Sequence, residues 1–121
     1  MNAIDRFLTA WIDKELRSLH VAIPCRVISF DGKTATVQPL VKVDGAEQPV
    51  IQDVSALGQR LEVDGVERVY KPALKNGDVV LVVCCDTDIQ RSSSGKSASP
   101  ATSRKHDIND AVIVGVFPCS L

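Results

Sequence analysis

Apolar residues at the start of the chain recur with helical spacing. Ile4, Leu8, Trp11, Ile12, Leu16 and Leu19 share one face of residues 3–19. Asn2 is placed to cap that helix, and Asp5 lies in its first turn, where the dipole favours an acid. Arg6, Asp13, Lys14 and Arg17 take the opposite face, and Pro24 rules out a continuation. The spacing therefore predicts a separate amphipathic helix within residues 1–20. A helix this short is marginal alone in water, so its stripe needs cover from the following domain or from another chain. It precedes the first strand and can project from it. Partner contact through Ile4, Phe7, Leu8, Trp11 and Leu16 is therefore the expectation, since exposed aromatics on such a face mark interfaces.

From Cys25 the helical period gives way to alternation. "CRVISF" reads as a strand, "DGK" at 31–33 as a hairpin turn, and "TATVQPLVKV" as the returning strand. "DGAE" at 44–47 turns the chain again into "QPVIQDV". Residues 55–66 read as irregular, with "VERVYKP" a short strand after them. "KNGD" at 75–78 is a strong turn signal before "DVVLVVCCD", whose unbroken apolar run predicts burial on both faces. "DAVIVGVFP" closes the series. Between these last two, residues 91–103 are rich in Ser and small residues and read as a flexible surface loop.

These elements predict a mainly β fold over residues 21–121. The best match is a small five-stranded antiparallel Greek-key barrel, the OB-fold, carrying an N-terminal α-helix. A small sandwich is the alternative. Length agrees, because 121 residues suit one domain with a modest core. So does composition, which is 45% hydrophobic but only 4% aromatic, with valine carrying the middle of the chain.

Charge narrows the function classes. The net charge of −1 supplies no field to draw in nucleic acid or acidic membranes. Phe30, Tyr70 and Phe117 have no basic cluster around them, so no base-stacking platform is expected. No run approaches the ~20 apolar residues of a membrane span. Charged residues from Asp5 to Glu15 interrupt any signal-peptide core, so synthesis and folding in a cytoplasm are expected. Cys25, Cys84, Cys85 and Cys119 form no C-x-x-C pair and read as buried, reduced packing residues.

Three constellations bear on catalysis. "GKS" at 95–97 resembles the tail of a phosphate-binding loop, but Gln90 stands where its first glycine belongs and no helix start follows. Arg104, His106 and Asp110 are chemically capable, yet the nearby serines lie in the slack run, which cannot preorganise a nucleophile. The expected role is structural. Arg104 pairs with Asp110, His106 bonds to backbone, and the three pin the chain where the loop re-enters the barrel. Asp86 and Asp88 read as solvated acids at a strand end rather than cation ligands. No catalytic residue, metal site or cofactor is expected.

Five separated segments occur in an order that resembles a known family. They are "AIPCRVISFDGKTATVQPLVK", "YKPALKNGD", "VVLVVCCDTDI", "SSG" and "RKHDINDAVIVGVFP". Together they resemble the N-terminal OB-fold domain of phage baseplate central spike proteins, over residues ~20–118. The resemblance implies a virion structural protein of a contractile tail baseplate. It would be a homotrimer joining the tail hub above to a needle below. The matched positions Gly77, Asp78, Arg104, His106, Asp110 and Ala111 would determine the fold rather than catalyse. Spike proteins continue into a needle that often ends in a metal-holding tip. This chain stops at Leu121 and has no His-x-His, so an adaptor role is expected, with any tip on a separate protein and no membrane insertion by this chain. A nucleic-acid or ligand-binding barrel is the competing reading, and an enzyme using His106 as a base ranks third.

Overall fold

The computed structural model describes residues 2–121, except the side chains of Arg17 and Ser18. Arg17, expected on the polar face of the helix, thus lies outside the described side chains.

Alternation in the middle of the chain closes on itself. Strands β1 (Ala22–Phe30), β2 (Thr34–Pro39), β3 (Ile51–Ala56), β6 (Val79–Cys84) and β7 (Ala111–Val116) form a closed barrel in the order β1-β2-β3-β7-β6. Four seams are antiparallel, but β3 and β7 run parallel, with Ser55 opposite Val112 and Ala56 opposite Ile113. The expectation of an all-antiparallel barrel is corrected here, and the reason is parity. Directions can alternate all the way round only when the strand number is even, so a ring of five must contain a parallel seam.

Inward positions come from every strand. Cys25, Val27, Val37, Val54, Val80 and Val82 are at most 2% exposed, and Ile23, Ala35, Ile51, Cys84, Ala111 and Ile113 complete the core. Each valine or isoleucine so placed contributes roughly 1.5–3 kcal/mol. β6 alternates rather than being buried on both faces. Val80, Val82 and Cys84 point inward, while Val79, Leu81 and Val83, on the outward face, are half-covered. The cysteines divide similarly: Cys25 and Cys84 are buried, Cys85 is half-buried, and Cys119 is exposed, contrary to the expectation that all four are core residues.

Other departures follow from local backbone chemistry. β2 ends at Pro39 instead of running to Val43, since proline cannot donate to a ladder. Beyond it Leu40 N–H still donates to Pro24 O at 3.0 Å, and the Val43–Ala46 bridge closes around the left-handed Asp44–Gly45 turn. β3 starts at Ile51 and bulges, with Asp53 at φ 56° and two residues opposing one of β2. The stretch expected to be irregular contains β4 (Gln59–Val63), which pairs with β5 (Val66–Tyr70) through Asp64 and Gly65, both at positive φ. The Asp-Gly signal there marks a hairpin turn, hidden because β4 shows little apolar alternation.

Helix α1 spans Ala3–Ser18, and the Asn2 side chain accepts from Asp5 N–H at 2.8 Å. A cap of this kind is worth ~1 kcal/mol. No described helix is long and apolar enough to cross a membrane.

Candidate functional site

Where β1 begins, β6 ends and β7 begins, the chain converges on one ion cluster. The 3-10 turn Ile108–Asp110 leads straight into β7 and is capped by Asp107, which accepts from the Asn109 backbone N–H at 2.9 Å. That turn delivers Asp110, 1% exposed, into the barrel end. Arg104 grips it in a fork, with Nε to Oδ2 at 3.1 Å and Nη2 to Oδ1 at 2.8 Å. Ile89 N–H donates to the same carboxylate at 3.3 Å. The main-chain carbonyl of Asp110 accepts from Cys85 N–H at 2.9 Å.

Asp88 is the third member. Expected among solvated acids, it is 2% exposed, and Arg104 Nη2 lies 3.3 Å from its Oδ1. Its carboxylate accepts from Gln90 N–H at 2.9 Å and from the Thr102 hydroxyl at 2.9 Å. The Gln90 hydrogen bond, then the Thr102 hydroxyl and the Arg104 charge, hold its carboxyl below the ordinary range. Two acids two residues apart avoid repulsion because one guanidinium lies between them. The serine-rich segment is thus tied down near its two ends, through Gln90 and Thr102, although residues 91–103 are all exposed. Asp86, in contrast to Asp88, has an 89% exposed side chain.

His106 works mainly through its backbone. Its N–H donates to Asp86 O and its carbonyl accepts from His20 N–H, both at 3.2 Å, which ties the chain before β1 to the exit of β6. Its φ is +44°, a left-handed conformation that histidine tolerates better than most residues. In the ring, Nε2 lies 3.4 Å from Asp86 Oδ1, and Nδ1 is buried with no hydrogen-bond partner among the described residues. Ala111, 6% exposed, follows Asp110 and faces Cys84 across the β6–β7 seam.

Gly77 and Asp78 lie at the opposite end of β6, so the six signature positions do not form one cluster. Gly77, at φ +93°, lets its N–H reach Val27 O at 2.7 Å, while Asp78 O accepts from Val27 N–H at 2.8 Å. The Asp78 carboxylate closes the turn by accepting from Lys75 N–H at 2.9 Å. The two ends of β6 are therefore each locked by an aspartate. A third polar lock escapes sequence reasoning: Gln38, 9% exposed, donates Nε2 to Gln48 O at 2.6 Å and to Pro39 O at 3.2 Å, fastening the 40–48 loop. Gln38 has the outward parity, opposite to Ala35 and Val37, and is buried by the 40–48 loop that it fastens, so the strand pattern alone carries no signal for it.

Chemically, the two buried carboxylates of the cluster are committed to structural partners. Each carboxylate takes three contacts, Asp110 from Ile89 N–H and twice from Arg104, and Asp88 from Gln90 N–H, Thr102 and Arg104. Burial pushes the Cys25 thiol up to about 12 and the Cys84 thiol up to about 11, which keeps both protonated and inert. Among the described residues no group of three or more His, Cys, Asp or Glu is placed to hold a metal ion.

The expected interface residues sit elsewhere. Ile4 and Phe7 are 69% exposed, Trp11 55% and Leu16 59%, with Leu8 also exposed. The barrel end does not cover the stripe.

A family described as "Phage protein Gp138 N-terminal domain" matches residues 23–115, from within β1 to within β7. No curated protein matches the chain.

Proposed function

The chain belongs to the Gp138 N-terminal domain family of phage proteins, and we propose from this that it is a virion structural protein of the tail baseplate. In this reading it is an OB-type Greek-key barrel at the centre of a contractile tail. It assembles as a homotrimer and joins the hub to a needle. The observation that carries the reading is the family match across the whole barrel. The barrel order, with its parallel β3–β7 seam, fits the OB type.

The chemistry of the polar cluster supports a structural rather than a catalytic role. A general base must reach its substrate, whereas Asp88 and Asp110 are 2% and 1% exposed and bonded to Arg104 and backbone N–H groups. The signature residues hold strand ends in place, as an adaptor under mechanical load requires. The exposed stripe on α1 is the natural contact with a neighbouring subunit or the hub.

Nucleic-acid binding is disfavoured by the barrel surface. Phe30, the aromatic at the end of β1, lies in a cleft lined by Asp31 and Asp53, whose charges repel phosphates. Quantitative mass spectrometry of purified virions tests the proposal. It should find the chain in the particle at a low copy number divisible by three. Absence from particles, together with submicromolar, salt-resistant binding to single-stranded oligonucleotides, would replace this reading with the binding-module one.

A further inference from the structure

Residues 19–21 connect α1 to β1. Within that connection His20 N–H donates to His106 O at 3.2 Å. The next residue already belongs to the barrel end, because Cys84 N–H donates to Val21 O at 2.9 Å. The direction of the His106 carbonyl therefore bears on how α1 stands on the barrel.

His106 is held in a conformation that few residues adopt. Its φ of +44° lies in the left-handed region. Such conformations persist where the surroundings over-determine them. Part of the restraint is backbone: His106 N–H donates to Asp86 O at 3.2 Å, and Lys105 bridges to Thr87 just before it. The rest is the ring. The side chain is 28% exposed, but Nδ1 is buried with no hydrogen-bond partner among the described residues. No other buried side-chain nitrogen or oxygen among them is left so.

The ring chemistry is one-sided. Nε2 faces Asp86 Oδ1 at 3.4 Å, so the neutral ring places its proton on Nε2 and a lone pair on Nδ1. A buried acceptor without a donor is tolerated more often than a buried N–H without an acceptor. Protonation converts the first into the second. The charges nearby do not offset this. Asp86, at the exit of β6, has an 89% exposed side chain, so water screens its attraction. Asp107 accepts from Asn109 N–H and from the Asn109 side chain. Arg104 is committed to Asp88 and Asp110. Lys105, which lines the α1 groove with Glu15, adds a like charge beside the ring. His20 brings the second imidazole of the chain to the same joint.

We propose that His106 is a pH-sensitive latch, which holds the α1–β1 connection to the barrel end when neutral and releases it when protonated. In acid the ring gains an N–H that its buried seat cannot accept, and it turns out to water. The left-handed backbone then loses a restraint and relaxes, and its carbonyl swings away from His20 N–H. The chain loosens as far as Val21, where the bond from Cys84 stops it. α1 gains freedom relative to the barrel while the barrel stays closed. The latch is independent of the assembly reading above, since it acts within one chain.

Amide hydrogen exchange on the full chain, followed by NMR and corrected for the intrinsic rate at each pH, tests it. Between about pH 7.5 and about pH 5.5, the range in which imidazoles change charge, the protection of the His20 amide should fall about tenfold or more. The Cys85 amide, bonded to Asp110 O at the same barrel end, should keep its protection. His106→Asn retains a residue that tolerates positive φ but does not titrate, and it should abolish the pH dependence. His20→Gln should leave the ring transition of His106 in place. Long-range proton–nitrogen spectra of the wild-type rings should place the neutral His106 proton on Nε2. A His20 amide indifferent to pH would overturn the latch, as would a pH dependence that survives His106→Asn. A neutral His106 that carries its proton on Nδ1 would also overturn it. So would a parallel loss at Cys85, since acid would then open the whole barrel end.

Discussion

Strands β7 and β5 are both short and valine-bearing, yet Ile113 in β7 is 3% exposed while Val69 in β5 is 62% exposed. The difference lies in what each strand meets. β7 is paired on one side with β6 and on the other with β3, and its inward residues complete a core shared by five strands. β5 has one hydrogen-bonded neighbour among the described residues, β4, and meets β7 only at its Tyr70 end, where both line one groove. The same contrast separates the barrel from α1, whose cap and dipole are satisfied locally while its stripe is exposed. Local rules therefore suffice to form an element, but only a second layer gives it a share in the stability of the fold. The barrel finds that layer within the chain. The ribbon and the helix do not.

The largest expected effect is on the barrel end. Arg104→Ala leaves two buried carboxylates facing each other without their shared cation, and a buried pair broken on one side is strongly destabilising. It should lower the melting temperature further than truncating either Ile113 or Leu61. It should also change the acid limb of stability. Because the folded carboxyl of Asp88 is held below its ordinary value, its stabilisation is complete above the ordinary carboxylate range and is lost as pH falls through the lower folded value. Without Arg104 one of the causes of that lowering is gone, so acid unfolding should begin at higher pH in the variant. Asp31 gives an internal control. Its carboxyl is lowered by the Thr34 and Lys33 backbone N–H groups, independently of Arg104, and its contribution should be the same in both proteins.

A matched pair of truncations sharpens the contrast between sheets. Ile113→Ala should cost ~2–5 kcal/mol in denaturant unfolding, as large-to-small changes in a packed core do. Leu61→Ala in the ribbon should change the unfolding of the single chain by less than ~1 kcal/mol, because Leu61 is 46% exposed and outside the packed core. Equal costs would mean that the ribbon is packed as tightly as the barrel.

The smallest effect is expected in the loop. Deleting Ser93–Ser99 removes only exposed residues and spares both the Gln90 and Thr102 ties to Asp88. Shortening a surface loop changes closure entropy little, so the melting temperature should stay within a degree or two. A large fall would show that the run is ordered against something.

Much of the barrel is legible in the sequence because its signals are local. Asp-Gly and Asn-Gly pairs mark turns where the backbone does take positive φ, at Gly32, Gly45, Gly65 and Gly77. Apolar runs mark β1, β6 and β7. What stays hidden depends on closure or on distance along the chain. The parallel seam follows from the strand count of the ring, which no single segment carries. β4 escapes notice because both its faces are wet, so its sequence has no reason to alternate strongly. Asp88 reads as a solvated acid until the fold brings Thr102 and Arg104 to it across a long loop. The Arg104–Asp110 pair is legible because its members lie only six positions apart, within local reach at the loop end.

The central claim is that a self-sufficient barrel carries two appendages that exist to meet other subunits. Light scattering of the purified full chain, read across a wide concentration range, tests it most directly. The account predicts a discrete species of three times the 13.1 kDa chain mass that persists on dilution. A single 13.1 kDa species at every concentration, with α1 and the ribbon still folded, would contradict it.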